Sequence, residues 1–399
     1  MENIDTKLWR LVAAFMVCTW LIGCRVAAAQ AAPAAAVQGG AEPGKSLPAD
    51  ISDLLRPLLA DATIPAMGAL VIRGDAIIAQ GVVGVREIGK ESKATLGDKW
   101  HLGSCTKSMT ATLLAILVSE SKITWATTIG EVFGDIPRFD AEWKDVTVEQ
   151  LLAHRAGVPS DLKVDGLWTK LWNHKGTPTE QRWTLVDALL RKKPIHKPGG
   201  QYLYSNAGVS IAGAVAEKRT GQSWEELIEQ RLFAPLGITS GGTGAPGTPG
   251  KLDQPRGHTA AGEAAQPGPN HAGDNPAAIA PGGTIHMTLP DWGKYIAMHL
   301  AGERGEDRVL AAKAIVALHL PYPAEDKDRY GWGWSFTDRD WADGAVFTHN
   351  GSNTLWFAVT WVAPKKNMAI LVVCNKGGGA AAKACDRAAS ELVGRFVKD

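Results

Sequence analysis

The sequence predicts a mixed α/β (α+β) fold in which one antiparallel sheet, flanked by helices, is built from both ends of the chain. A mostly helical subdomain is expected between those ends. Strand-like apolar runs occur near the N-terminus and again towards the C-terminus, whereas helical spacing of apolar residues dominates the middle. The 399 residues are 45% hydrophobic, which is enough to bury one large core or two modest ones.

The N-terminus predicts an export signal. Lys7 and Arg10 precede an apolar run over 11–23, and small residues follow it, as at a signal-peptidase cleavage site. The run is shorter than the roughly twenty residues that a permanent membrane helix needs. The tetrapeptide Leu-Ile-Gly-Cys24 is also similar to a lipobox that is cut before a lipidated cysteine. We therefore expect a signal over 1–29, or a lipoprotein signal cut before Cys24, and a periplasmic or secreted protein. Membrane attachment is expected only through a lipidated Cys24.

The stretch that follows the signal is rich in Ala, Pro and Gly. Residues 30–48 therefore predict a flexible linker, and the folded domain is expected over 49–399. Within that domain we expect the α/β part over about 49–104 and 283–399, and the helical part over about 105–282.

Local patterns predict the elements of the first half in order. A helix over 50–61 has leucines at helical spacing, and two strands follow over 68–73 and 76–83 around an Arg-Gly-Asp turn. A long amphipathic helix is expected over about 105–120, and residues 240–282, rich in Gly, Pro and Ala, predict a long surface loop. Cap and periodicity signals predict further helices over 147–154, over 207–219, from 223 and over 288–299.

The C-terminal part predicts strands and a closing helix. Alternating or continuous apolar runs, rich in β-branched and aromatic residues, are typical of strands. The expected strands cover 330–336, 345–349, 355–362 and 368–374, and the helix covers about 380–397.

Charge and cysteine content narrow the function classes. The formal net charge is +1, so the chain has no basic surplus to neutralise a phosphate backbone, and we expect no nucleic-acid partner. Three cysteines remain beyond the signal, and their spacing fits neither a zinc site nor a CxxC motif. Buried free thiols are favoured over a Cys374–Cys385 disulfide.

A Ser-x-x-Lys pattern occurs three times, beginning at Ser104, Ser119 and Ser160. Residues three apart share one face of a helix, where a lysine of lowered pKa can take the proton of a serine hydroxyl. Only Ser104 lies at a predicted strand-to-helix junction, with Lys107 on the following helix. A serine there has backbone N–H groups nearby to stabilise an oxyanion, although serine is also a common N-cap.

Two further three-residue motifs contain candidate functional side chains. Tyr204-Ser-Asn206 is the only Tyr-x-Asn in the chain and precedes a predicted helix, so that Tyr204 can serve as a proton relay and Asn206 can bind substrate or lysine. His349-Asn-Gly351 is the only His-x-Gly in the strand-rich terminal region, where glycine lets a ligand approach the backbone. Taken alone, each triplet is more often structural than functional.

In this order the three motifs resemble the serine β-lactamase and penicillin-binding-protein family, and most of all its class C-like branch. That branch includes class C β-lactamases, D-Ala-D-Ala carboxypeptidases and related esterases. Supporting similarity lies in residues 147–159, 232–238 and 330–334, so that the resemblance covers about 50–395. It implies a β-lactamase/transpeptidase-like fold.

The resemblance implies a serine hydrolase that forms a covalent acyl-enzyme with an ester, amide or peptide. Ser104 would be the nucleophile, and Lys107 and Tyr204 would share the general base and acid roles. Asn206, His349 and Gly351 would bind substrate, and the backbone N–H groups of Ser104 and Ser352 would form the oxyanion hole. The resemblance implies neither an organic cofactor nor a metal.

The third motif departs from the family pattern. His349 stands where β-lactamases of this type have a lysine, and Asn350 replaces the usual threonine. A histidine near pH 7 is largely neutral, which favours peptidase or esterase chemistry over β-lactam turnover. The alternatives are a true β-lactamase and a protein that binds peptidoglycan or β-lactams without turnover. Fifteen tryptophans are expected mostly in the core, although Trp332, Trp334 and Trp356 lie near the proposed cleft.

Overall fold

The computed structural model describes residues 47–268, 273–325 and 329–397. The proposed export signal, Cys24 and nearly all of the proposed linker lie outside these residues. The strands are β1 (Ala49–Asp50), β2 (Ala66–Arg73), β3 (Ala76–Gly84), β4 (Lys99–His101), β5 (Gly242–Thr243), β6 (Ile285–Thr288), β7 (Ser335–Arg339), β8 (Gly344–Gly351), β9 (Phe357–Ala363) and β10 (Met368–Cys374). The α-helices are α1 (Ser52–Ala62), α2 (Thr106–Ser119), α3 (Ile129–Phe133), α4 (Val148–Leu152), α5 (Leu167–Trp172), α6 (Pro178–Leu190), α7 (Asn206–Thr220), α8 (Trp224–Leu227), α9 (Ala280–Gly283), α10 (Leu289–Glu303), α11 (Ala312–Leu318) and α12 (Gly379–Phe396).

A seven-stranded sheet joins the two ends of the chain in the order β1-β3-β2-β10-β9-β8-β7. All neighbours are antiparallel except β1 and β3. The N-terminal hairpin meets the C-terminal strands where β2 pairs with β10, from Arg73 opposite Met368 to Met67 opposite Cys374. A small second sheet has the order β4-β6-β5. The predicted fold class, a sheet built from both chain ends, is confirmed.

The large sheet is buried on both faces because each face packs on a helical layer. In β2, Met67, Ala69 and Val71 belong to the core shared with α1 and α12, whereas Leu70 and Ile72 belong to the larger core on the opposite face. This alternation follows from the period of two along a strand. On the inner face of α12 the alanines are frequent, and such small side chains let the helix lie close to the sheet.

The helix α2 differs from its prediction. Every residue from Thr106 to Leu117 is buried, so the helix is enclosed on all sides rather than amphipathic. A helix that is buried on every face is typical of a protein core, and here it takes the polar side chain of Lys107 into the core with it. Lys107 lies in the first turn of α2, and the segments packed around the helix shield its side chain from water.

Two predicted segments are wrong in part. The expected surface loop over 240–282 contains fully or nearly buried residues such as His258, Asp274 and Ala278, and it ends in α9. Its small residues allow close packing rather than exposure: a Cβ on Gly257 would lie 2.8 Å from Cβ of Leu355, and one on Gly282 would lie 3.0 Å from the carbonyl oxygen of Asn206. The expected strand over 330–336 begins only at Ser335, because Gly333 adopts a φ of +82° and lies against the backbone of α2.

Cys105, Cys374 and Cys385 are free and buried, which agrees with the thiols favoured by the sequence. In the described ranges, no helix is long and apolar enough to cross a membrane.

Candidate active site

Ser104 lies in a 3₁₀ turn, Gly103–Cys105, that runs directly into α2. The turn follows β4, so the strand-to-helix junction expected from the sequence is present. Ser104 caps neither the turn nor α2 with its side chain. Its hydroxyl is instead an acceptor for the ammonium or amine of Lys107, with Nζ and Oγ 3.0 Å apart. The N-cap interpretation of Ser104 is therefore wrong.

Lys107 is completely buried, and three oxygen atoms surround its Nζ. Besides Ser104, it contacts Oδ1 of Asn206 at 2.6 Å and the carbonyl oxygen of Gly282 at 2.5 Å. The Tyr204 ring lies beside it, with its centroid 4.7 Å from Nζ. Burial lowers the pKa of Lys107 from 10.5 to about 7, because water no longer solvates the charged form. A substantial fraction of the neutral amine is therefore present at neutral pH.

Tyr204 and Asn206 come from the segment that enters α7. Ser205 is the N-cap of α7 and accepts from the backbone N–H of Gly208, so the residues on either side are held at the helix N-terminus. Tyr204 is hydrogen-bonded to Ser104; burial raises the pKa of its phenol, and that hydrogen bond partly opposes the increase. The Tyr-x-Asn motif thus meets Ser104 and Lys107, although about a hundred residues separate them along the chain.

His349 lies deeper than the sequence suggests, with only 5% of its surface exposed. Its Nδ1 is 2.5 Å from the carbonyl oxygen of Asn350, which can only accept, so Nδ1 carries the proton. Nε2 then accepts from the hydroxyl of Tyr330 at 3.0 Å. Burial, and next the charge of Lys107, lower the pKa of His349 to about 3. The imidazole is therefore neutral at physiological pH, and both of its nitrogens are bonded within the protein.

The end of β8 lies against the turn that carries Ser104. A Cβ on Gly351 would overlap the carbonyl oxygen of Leu102 and would lie 2.6 Å from the amide nitrogen of Ser104. Gly103, with a φ of +50°, approaches from the other side, and a Cβ there would overlap the amide nitrogen of Ser352. Only glycine fits at both positions. The amides of Ser104 and Ser352 therefore lie on two backbones in direct contact.

The other two Ser-x-x-Lys matches are not assembled in this way. Ser119 donates its hydroxyl to the carbonyl of Ile116, and Ser160 is exposed and outside any helix. Of the tryptophans near the cleft, Trp334 and Trp356 are 1% exposed and belong to the core, whereas Trp332 is half-buried.

Sequence reasoning missed three groups of the site. The Gly282 carbonyl binds Lys107, Tyr330 binds His349, and the ring centroid of His154 lies 4.4 Å from that of Tyr204. Burial, and next the charge of Lys107, hold the pKa of His154 well below its usual value. His154 and Tyr330 lie in segments that supported the family resemblance, but nothing in the sequence distinguished the backbone of Gly282.

The model of the Beta-lactamase family matches residues 51–394. The chain belongs to this family. Membership supports an activity of the serine hydrolase or acyl-transfer type, on small-molecule or peptidoglycan-peptide substrates.

Individual relatives are distant. Penicillin-binding protein 4 of Amycolatopsis lactamdurans is 28% identical over 319 residues, covering 77% of this chain and 80% of that protein. The octameric penicillin-binding protein homologue from Pyrococcus abyssi superposes with a TM-score of 0.68 at 21% identity, covering 86% of this chain and 76% of that one. SurE gives a TM-score of 0.67 at 22% identity, with 86% and 74% covered. At these identities the two solved structures show the shared fold alone.

Proposed function

We propose that this protein is a serine hydrolase of the class C-like branch, acting through a covalent acyl-enzyme on an ester, amide or peptide. The observation that carries the proposal is the contact between Lys107 Nζ and Ser104 Oγ, 3.0 Å apart, made by a lysine whose pKa is about 7. A base within hydrogen-bond reach of the nucleophile and partly neutral at physiological pH is what proton abstraction from a serine requires.

In the proposed reaction Ser104 Oγ forms a bond to the substrate carbonyl carbon, and the hydroxyl proton passes to Lys107 or Tyr204. The carbonyl oxygen becomes an oxyanion, for which the N–H groups of Ser104 and Ser352 are the proposed donors. The bond to the leaving group then breaks, and the stored proton neutralises that group. A water molecule then attacks the carbonyl carbon of the ester on Ser104 and gives a proton to Lys107 or Tyr204; the bond to Ser104 Oγ breaks, the serine takes that proton back, and the acid product is released. Asn206 holds Lys107 through its Oδ1.

The environment of His349 argues against β-lactams as good substrates. A lysine at this position would offer a permanent cation to a substrate carboxylate, whereas His349 is neutral and occupied by Tyr330. We expect purified protein to hydrolyse p-nitrophenyl esters at least 100-fold faster than nitrocefin. Nitrocefin turnover that matches ester turnover would contradict this part of the proposal.

The test of the activity itself is labelling with a fluorophosphonate probe. Wild type should be labelled on Ser104 and should hydrolyse p-nitrophenyl esters or D-Ala-D-Ala peptides, whereas Ser104→Ala should do neither. Ser160→Ala is the matched control, since it removes an exposed serine of another Ser-x-x-Lys match, and it should behave as wild type. Equal labelling of Ser104→Ala would refute the proposal. Stable labelling by nitrocefin without release of product would favour the non-turnover alternative.

We also propose export across the inner membrane, on the strength of the N-terminal signal pattern. Intact mass of the mature protein from the native host distinguishes cleavage near residue 29 from a diacylated Cys24. A mature protein that retains residues 1–23 would refute export by either route.

A further inference from the structure

A buried carboxylate bridges the two backbone segments that hold the proposed oxyanion donors. Asp274 is 6% exposed, and its Oδ2 lies 2.8 Å from Nε2 of His101. Its Oδ1 accepts from Nδ2 of Asn353 at 3.0 Å. His101 lies three residues before Ser104, and Asn353 directly follows Ser352.

The hydrogen bonds fix the protonation of His101. Its Nδ1 accepts from the backbone N–H of Gly103 at 3.1 Å, so that nitrogen carries no proton. Nε2 must then carry the proton and donate to Asp274. His101 is 1% exposed and therefore cannot exchange either bond for water without a local opening. The chain of bonds runs from the amide of Gly103 through the imidazole to the carboxylate.

The second half of the bridge acts on the loop after β8. Asn353 is 5% exposed; its Nδ2 donates to Asp274 and its Oδ1 accepts from the backbone N–H of Leu355 at 3.2 Å. Both sides of its amide are therefore used, and the backbone next to Ser352 is held in one orientation. Each carboxylate oxygen of Asp274 thus serves one of the two segments.

We propose that His101, Asp274 and Asn353 are positioning residues that set the separation and direction of the N–H groups of Ser104 and Ser352. None of the three contacts the reacting atoms in the proposed reaction; they act through the backbone. The inference rests on the proposed function, because it concerns the oxyanion hole of that reaction. An oxyanion hole works only when its donors are held at the position where charge develops, so loosening the bridge reduces the rate more than it reduces substrate binding.

The experiment compares His101→Asn, Asn353→Ala and the double variant. Asparagine at 101 keeps an acceptor for the amide of Gly103 but is too short to reach Asp274, so it breaks the bridge alone. The matched control is His286→Asn: His286 lies opposite His101 in β6, is similarly buried, and bonds the carbonyl of Gly244 through Nδ1. Rates are expressed per site labelled by fluorophosphonate, so unfolded molecules do not contribute.

Each single variant should lower kcat for a p-nitrophenyl ester about 10- to 100-fold, below the effect of deleting a donor outright. KM should stay within threefold, and the inhibition constant of phenylboronic acid, which forms a tetrahedral anion on Ser104, should rise by a similar factor. The double variant should lose about as much kcat as the more impaired single variant and no more, because one bridge is broken in all three. The control should stay within twofold of wild type.

The outcomes separate the two proposals. If wild type is not labelled by fluorophosphonate, the proposed function fails and the inference fails with it. If wild type is active and the bridge variants bind phenylboronic acid as wild type does, only the inference is overturned. Additive losses in the double variant, or an equal loss in His286→Asn, would also overturn it, because the residues would then act separately or through general packing.

Discussion

Burial lowers the pKa of Lys107 to about 7, so the rate of proton abstraction by this amine should depend on pH in the neutral range. Lowering the pKa from 10.5 to about 7 raises the neutral fraction at pH 7 from roughly one in three thousand to about one half. The pKa of His349 is about 3, and that of His154 lies well below the ordinary value of histidine. The pKa of Tyr204 lies above the ordinary value of tyrosine. If neutral Lys107 is the base, the acylation rate should rise with pH around a midpoint near 7.

Asn206→Asp moves this midpoint in a known direction. The Oδ1 of Asn206 lies 2.6 Å from Nζ of Lys107, so the substitution places a carboxylate against the amine and favours its charged form. An opposite charge at this range shifts a pKa by about 1–3 units, so the midpoint should rise to about 8–10. Activity at pH 7 should fall about 5- to 500-fold and should recover in alkaline buffer.

The assay is the second-order rate of fluorophosphonate labelling between pH 5.5 and 10 at constant ionic strength, with intact mass as the readout. Labelling avoids the spontaneous alkaline hydrolysis of p-nitrophenyl esters. Asn206→Ala is the control, since it removes the amide oxygen without adding charge, and its midpoint should not rise. An unchanged midpoint in Asn206→Asp, with activity lowered equally at every pH, would refute the assignment of the base to Lys107.

Three further outcomes are expected. Gly351→Ala places a Cβ 2.6 Å from the amide nitrogen of Ser104 and should lower kcat at least about 100-fold, as after loss of an oxyanion donor; a kcat within threefold of wild type would contradict the close approach. Trp356→Ala empties a core position that is 1% exposed and should lower the free energy of unfolding by about 3–5 kcal/mol in urea titrations. Trp172→Ala, at a site 38% exposed, should lower the free energy of unfolding much less. Equal decreases in the two variants would contradict the burial of Trp356. In the Tyr330→Phe variant, Nε2 of His349 loses the hydroxyl that donates a hydrogen bond to it. The free energy of unfolding should fall by about 1–3 kcal/mol in thermal or urea unfolding. Stability equal to wild type would contradict that hydrogen bond.

The elements with a strong local pattern were predictable. Apolar runs separated by short turns gave β2, β3 and β10 close to their observed bounds, because strand periodicity and a turn residue such as Gly74 act within a few residues. The capping box at Ser223 is likewise local and marks the start of α8.

Contacts made across the fold were not predictable from local pattern. Nothing in the sequence around Gly282 indicates that its carbonyl binds a lysine 175 residues away, or that Asp274 lies in the core. The composition of 240–282 favours a loop, whereas its burial comes from distant parts of the chain: α2, α6 and α7 pack against residues 277–283, and His101 and Asn353 bond Asp274. His349 illustrates the same limit, since its motif indicated a substrate contact whereas its ring is bonded to Tyr330.

The pairing of β2 with β10 has a consequence for how the molecule is assembled. The hairpin β2–β3 and the hairpin β9–β10 each close over a few residues, whereas Met67 meets Cys374 across nearly the whole domain. Loop-closure entropy grows only slowly with length, by about 0.6 kcal/mol per doubling, but long-range pairing slows folding strongly. We therefore expect the seam between the two hairpins to close late in refolding. Recovered hydrolytic activity is expected to lag behind recovered helix content, because the strand that carries Gly351 and the turn that carries Ser104 come from distant parts of the chain.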